Sequence, residues 1–236
     1  MEIRLFNKSI YIPLNGLNVS RRLEFSILSR YLNLTGDERV LDVACGDGYW
    51  TARIAARTCV IGFDYNRKRL LQAGKSYPAI HGLICSDAHF LPFARGVFDA
   101  VVGICVLEHF DDDLAALREL RRVARPGAKL ALTVDSFSLP GIRAAEKATH
   151  ARKYNVQHWY KIADLENALK QAGFEVLEYS YLLKAPLSAG LYRVSQKLPE
   201  LAYFLFPLSY PISLIGERLT GPGDSGYKLA VSARAL

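Results

Sequence analysis

Cysteine is scarce in this chain and never paired. The four, Cys45, Cys59, Cys85 and Cys105, lie singly in or beside apolar runs, with no C-x-x-C pair. That spacing argues against a zinc framework or a disulfide scaffold and fits reduced thiols in a cytoplasmic protein. Charge of one sign is not concentrated either. Lys and Arg exceed Asp and Glu by 30 to 23, a net +7, yet the basic residues are scattered rather than interleaved with aromatics in a stripe. A nucleic-acid partner is therefore not expected. The opening stretch MEIRLFNKSIYIPLNG has no long apolar segment and no cleavage pattern, so no signal peptide is expected. Internal repeats and low-complexity tracts are missing. The charge-free run 201–216 is shorter than the roughly 20 residues that cross a bilayer, and Pro207 and Pro211 interrupt it. What is there is ordinary globular material. Half of the 236 residues are hydrophobic and 22% are charged, enough to bury the core of one large domain.

The order of elements is regular over most of the chain. SRRLEFSILSRYLNL places Leu23, Ile27, Leu28, Tyr31 and Leu32 on one helical face. Strands and helices then alternate: a strand over 39–44, a helix over 49–56, the strand CVIGFD, a helix over 67–76, and GLICSD ending at Asp87. FDAVVGICVL follows as a strand apolar on both faces, then a helix over 112–123 stopped by Arg-Pro-Gly, and a strand over 129–134. A helix over 164–172 closed by Gly173, the strand FEVLEYSY and a last strand YKLAVSARA complete the pattern. Such alternation implies an α/β fold, a mostly parallel sheet with helices on both faces. The expected divisions of this single domain are an N-terminal segment and helix over 1–36, a ligand-binding core over 37–136, and an insertion over 182–226. The insertion is too long for a turn; over its apolar run, 201–216, two short helices broken at Pro207 and Pro211 are expected, with their apolar faces turned onto the site.

The stretch VLDVACGDGYW runs from a strand straight into a glycine turn. Strand, G-x-G and helix together present free backbone N–H groups to a ligand at close approach. A dinucleotide fingerprint would continue to a third glycine, but the pattern here is Gly46-x-Gly48-x-x-Thr51. In an open parallel sheet, ligands sit beyond the carboxyl ends of the strands. Asp64, at the end of the second strand, suits the two hydroxyls of a ribose. Asp87, at the end of the third, suits an exocyclic purine amine, with Phe90, Leu91 and Phe93 near for apolar cover. Asp42 suits either a cationic amine or the orientation of the turn. A ligand with a ribose, an adenine and an aminoacyl group but no phosphate fits this set, and S-adenosylmethionine is that ligand.

With those residues in view, the chain resembles the class I S-adenosylmethionine-dependent methyltransferases, in the small-molecule subgroup that includes quinone-biosynthesis enzymes. The motifs carrying the resemblance are VLDVACGDGYWT, GFD, SDAHFLPFARGVFDAVV, VLEHF, LRELRRVARPGAKLAL and IADLENALKQAGFEVLE, in order from residue 39 to about 179. One departure is Ala44, where the family's first motif often has glycine. The resemblance implies a Rossmann-like sheet of seven strands whose last strand is antiparallel and inserted beside the fifth. It implies a cofactor set of Asp42, Ala44, Gly46, Gly48, Asp64, Tyr65, Asp87, Ala88 and Cys105. It also implies acceptor contacts from Glu108, His150, His158 and Trp159.

His109 follows the fourth strand at the rim, where a neutral imidazole suits proton removal from a hydroxyl acceptor; a structural, hydrogen-bonded histidine is the alternative. Glu108 is its candidate supporting partner. Cys105 has no basic neighbour in sequence, which favours a buried thiol over a nucleophile. The acids of HFDDD are read as helix-capping groups rather than metal ligands, and no metal is expected. The expected activity is methyl transfer to a small-molecule acceptor, at a hydroxyl of a hydrophobic, lipid- or glycan-linked metabolite. The alternatives are C-methylation of quinone type and a non-catalytic S-adenosylmethionine-binding partner protein. Adenine-N6 and cytosine-C5 enzymes are disfavoured, because GICVLEHF has no Asn/Asp-Pro-Pro-aromatic turn and no Cys on a loop. The missing third glycine weighs against a nicotinamide dehydrogenase. The apolar insertion leaves open a peripheral membrane contact and a homodimer contact.

Overall fold

The computed structural model describes residues 2–5, 8–11 and 14–236, with side chains from residue 16 onward. Two short strands, β1 (Glu2–Leu5) and β2 (Lys8–Tyr11), pair as an antiparallel hairpin that the sequence reading did not anticipate. Helix α1 (Val19–Leu32) follows, opened by Asn18, whose side chain accepts from the Arg21 N–H at 3.2 Å.

The alternating core is β3 (Arg39–Val43), α2 (Tyr49–Ala55), β4 (Cys59–Asp64), α3 (Arg67–Ser76), β5 (Gly82–Cys85), β6 (Phe98–Ile104), α4 (Asp113–Val123) and β7 (Ala124–Asp135). Then come α5 (Ala144–Tyr154), α6 (Ile162–Ala172), β8 (Phe174–Leu182), α7 (Pro186–Lys197), α8 (Pro199–Phe204), α9 (Phe206–Thr220) and β9 (Lys228–Ala235). Seven strands form one sheet in the order β5-β4-β3-β6-β7-β9-β8, with β9 antiparallel to both neighbours. The order reverses between β3 and β6, which opens a crevice at their carboxyl ends.

One apolar layer packs the sheet against α4 and α6, through residues such as Leu117, Leu120, Leu165 and Leu169. The opposite layer uses Leu28 and Leu32 of α1 and Ile54 of α2. A third, smaller cluster at the carboxyl end of the sheet joins Leu23, Phe137, Tyr192 and Tyr227.

Three local expectations need correction. Asp87 lies beyond β5, which ends at Cys85. Arg-Pro-Gly does not separate α4 from its strand, because β7 starts at Ala124 and absorbs the tripeptide. The register slips between Phe98 and Ala100, and Gly127 takes φ +81°. The insertion holds α7 ahead of the two helices that cover 201–216, and the prolines act differently from expectation. Pro199 opens α8, Pro207 sits in the first turn of α9, and Pro211 lies inside α9 without ending it. Its apolar side chains also divide. Ala189, Tyr192, Tyr210 and Leu214 turn onto the third cluster, whereas Phe204, Leu208 and Leu219 stand 81%, 67% and 83% exposed. No helix among the described residues is long and apolar enough to cross a membrane.

Candidate active site

The crevice begins with the glycine turn after β3. Ala44, Gly46 and Gly48 take φ of +52°, +58° and +76°, so the chain turns sharply before α2. A Cβ on Gly48 would lie 2.8 Å from the Ala73 Cβ, so only glycine lets the start of α2 meet α3 this closely. A Cβ on Gly46 would come 3.3 Å from the Arg69 guanidinium carbon. Asp64 is 3% exposed and spans the turn. Its Oδ2 accepts from the Gly46 N–H and its Oδ1 from the Asn66 N–H, both at 2.8 Å. Each oxygen keeps a lone pair for a further donor.

Asp42 is buried and accepts from the Thr51 hydroxyl at 2.6 Å. Thr51 stands where a third glycine would be, and its bond fastens α2 to β3. Burial pushes Asp42 up to about 7, Thr51 opposes this, and the charge of Asp64 adds to it. Through the Thr51 hydroxyl, Asp42 ties the end of β3 to the start of α2.

Farther along the rim, Asp87 is exposed and its Oδ1 accepts from the His89 N–H (2.9 Å) and from His89 Nδ1 (2.6 Å). His89 Nε2 donates to the Asp112 carbonyl at 2.9 Å. Both ring nitrogens therefore carry protons. Burial opposes the imidazolium, but the bonds to Asp87 and Asp112 outweigh it and raise His89. Tyr65 and Phe90 stand 82% and 79% exposed, whereas Ala88 and Leu91 are buried. Phe93 packs edge-on against Phe98 in the core at 4.9 Å, so of the three expected apolar covers only Phe90 is at the rim.

His109 ends a short turn after β6 and is half-buried. Its Nδ1 lies 3.2 Å from the Asn155 carbonyl, which can only accept, so Nδ1 carries the proton and Nε2 keeps its lone pair. Burial lowers the His109 pKa below its usual value. Glu108 does not support it. The Glu108 side chain turns inward, is fully buried, and accepts from the Asp135 N–H at 3.1 Å through Oε1, while Oε2 has no hydrogen-bond partner among the described residues. Burial first, and the charge of Asp135 second, push Glu108 up to about 8.

The residues expected on the acceptor side are only partly brought together. His150 and Trp159 meet around Phe137, with ring centroids 4.4 and 4.7 Å from it. His158 is exposed, and its ring lies 6.3 Å from that of Tyr160. Phe137 itself holds φ +47°, a strained backbone at the end of β7.

Similarity to known proteins bears on this crevice directly. Residues 41–132 match the family described as "Methyltransferase domain". The O-methyltransferase rstn1 of Aspergillus nomiae is 30% identical over 169 residues, 68% of this chain and 74% of the relative. This chain belongs to the class I S-adenosylmethionine-dependent methyltransferases. The demethylmenaquinone methyltransferase of Corynebacterium kroppenstedtii is 39% identical over 106 residues, and the match spans 44% of either chain, so less than half of that relative's length is shared. In fold, the methyltransferase is similar to Haemonchus contortus phosphoethanolamine N-methyltransferase 2 in complex with S-adenosyl-L-methionine. The TM-score is 0.66 at 19% identity, over 91% of this chain and 52% of that one.

The methyltransferase also holds a buried polar network that sequence reasoning missed. Lys228, at the start of β9, pairs with Asp135 and lies 3.1 Å from the Cys105 sulfur. The Cys105 thiol donates to Glu24 Oε2 at 2.9 Å, and the Thr133 hydroxyl does so at 2.8 Å. Arg21 lies 3.2 Å from the same oxygen. His150 Nε2 donates to Asp135 Oδ2 at 2.8 Å. Burial alone would raise Asp135, but the Lys228 ammonium and His150 hold it below the carboxylate range. Cys105 thus has a basic neighbour that its sequence context did not reveal. Its thiol is nonetheless pushed up by burial and stays protonated.

Ligand atoms of Cys105, Glu108 and Asp135 lie within 4.8 Å of one another, a spacing that a metal would accept. The chain's own cation, Lys228, already pairs with two of the three. Of the HFDDD acids, Asp112 caps α4 through the Ala115 N–H at 2.8 Å, and Asp113 accepts from the Tyr160 hydroxyl. The signals for the network were single charges in apolar patterns, Glu24 on the inner face of α1 and Lys228 in YKLAVSARA.

Proposed function

We propose that the methyltransferase methylates a hydroxyl of a hydrophobic small molecule, with His109 as general base. S-adenosylmethionine supplies an electrophilic methyl group when bound. In this reading Gly46 and Gly48 let the backbone approach the cofactor, and Asp64 accepts from the ribose hydroxyls. Asp87, Tyr65 and Phe90 flank the adenine, and Asp42 holds the turn through Thr51. His150 and Trp159 line the acceptor side beside Phe137. The observation that supports a base is the His109 tautomer: Nδ1–H is committed to the Asn155 carbonyl, and burial keeps the ring neutral near pH 7. Nε2 is then free to take a proton as the acceptor oxygen attacks. The remaining catalysis is alignment and exclusion of water.

The test starts from a metabolite extract incubated with cofactor and protein, searched by mass spectrometry for a gain of one methylene. On the acceptor so found, His109→Ala lowers turnover by about 10²–10⁴-fold and leaves cofactor affinity unchanged. Full turnover in that variant would make the imidazole structural. A second reading, C-methylation of quinone type, is favoured by the 39% identity with a demethylmenaquinone methyltransferase over 106 residues. The product's NMR spectrum decides between them, because the new methyl resonance reports attachment to oxygen or to carbon.

A further inference from the structure

Helix α9 is built inside out. Its buried residues are Ser209 and Ser213, while Leu208, Ile212, Ile215 and Leu219 stand 67%, 41%, 56% and 83% exposed. Their spacing of four, three and four places them on one helical face. Phe204, at the end of α8, adds a ring that is 81% exposed. Leu198 and Leu201, before and within α8, are also exposed. A contiguous apolar surface of this kind marks a partner or a membrane rather than plain solvent.

The charges around it say which. No charge occurs over 201–216, and the first exposed ones on either side of the outward row are basic apart from Glu200: Lys197 at the end of α7 and Arg218 near the end of α9. Neither has an ion-pair partner among the described residues. The Arg22 guanidinium lies 5.8 Å from the Phe206 ring centre. The chain as a whole carries +7. A second copy would bring the same positive charge to the contact and be repelled, whereas an anionic lipid surface is attracted.

From these observations we infer that α8 and α9 dock the protein on the surface of an anionic membrane. The outward apolar row lies among the lipid chains at the headgroup boundary, and Lys197 and Arg218 reach the phosphates, as in interfacial helices. Directly beneath α8 is a cavity of about 310 Å³ with Leu191, Val194, Ala202 and Leu205 among its walls. Tyr154, also on its wall, packs 4.5 Å from His150. Through Tyr154 the cavity wall touches His150, one of the residues proposed for the acceptor side. The docking itself does not depend on which acceptor is used.

The test is co-sedimentation of the full chain with phosphatidylcholine vesicles, with and without phosphatidylglycerol, in the absence of any acceptor. The wild type sediments with the anionic vesicles and remains in the supernatant with phosphatidylcholine alone at the same lipid concentration. Phe204→Ser and Leu208→Ser each lower partitioning by about tenfold. Lys197→Glu combined with Arg218→Glu removes the preference for anionic lipid. Circular dichroism and cofactor calorimetry matching the wild type show that the variants are folded. Should one serine variant fail that check, the other carries the test, since both side chains are exposed. A wild type that ignores anionic vesicles overturns the inference. So does a dimer in size-exclusion chromatography that Leu208→Ser dissociates, which would assign the face to a second copy.

Discussion

Ala44 pays for its place in the glycine turn with backbone strain. A side chain at φ +52° costs about 1–2 kcal/mol relative to right-handed backbone. Glycine removes that cost but gives the unfolded chain more freedom, worth about 0.4–1 kcal/mol in the opposite direction. The strain is the larger effect, so Ala44→Gly is expected to stabilise by about 0.5–1 kcal/mol, or a rise of about 1–4 °C in Tm for a chain of this size. Scanning calorimetry checks it, and a lowered Tm would show that the turn relaxes without help.

Asp64 carries the opposite expectation, a loss read first in cofactor binding. Asp64→Ala removes a charged acceptor and weakens cofactor affinity by about 1.5–3 kcal/mol, read by titration calorimetry. Wild-type affinity in that variant would take the ribose assignment away from Asp64. Asp64→Asn keeps an acceptor oxygen for the turn and separates lost charge from a collapsed turn.

Among the elements, legibility follows how local the information is. β4 and α3 fall at the bounds read from sequence, because CVIGFD and RKRLLQAGKS carry both their periodicity and their stop signals. β6 was legible from a run apolar on both faces. Arg-Pro-Gly misled because a β-bulge and a β-turn share the same residues. Only the pairing of Phe98 with Ala124 and of Ala100 with Lys129 tells them apart. The insertion was legible as helical but not in its orientation. Apolar residues were assigned to the inside, yet close packing selected Ser188, Ser209 and Ser213 for burial. Small residues let α7 and α9 approach their neighbours, and that choice is made by the surrounding structure rather than by hydropathy.

For the whole molecule, the two halves of the site differ in the same way. The residues proposed for the cofactor follow one another from Asp42 to Asp87 and could be read in order. The buried network gathers Glu24, Asp135, His150 and Lys228 from α1, β7, α5 and β9, with Cys105 from the turn after β6, and no window of sequence contains it. Its charges balance only as a set: Arg21 with Glu24, Lys228 with Asp135, and Glu108 left over with no partner for Oε2 among the described residues. Burial and the neighbouring Asp135 therefore keep Glu108 protonated, with its pKa pushed up to about 8.

The sign of the consequence is fixed by linkage. The unfolded chain releases this proton near the ordinary value of 4.5, and the folded chain holds it up to about 8. The folded state binds more protons between those limits, so this group's contribution is fully present below the lower one and is lost as pH rises towards the upper. Glu108→Gln keeps an acceptor for the Asp135 N–H and cannot ionise. Its stability relative to wild type is therefore expected to rise by more than about 1 kcal/mol between pH 5 and 8. Denaturant titrations of both proteins at the two pH values measure the difference. Parallel pH profiles would mean that Glu108 is already ionised in the folded protein, with Lys228 shared between two carboxylates rather than committed to Asp135.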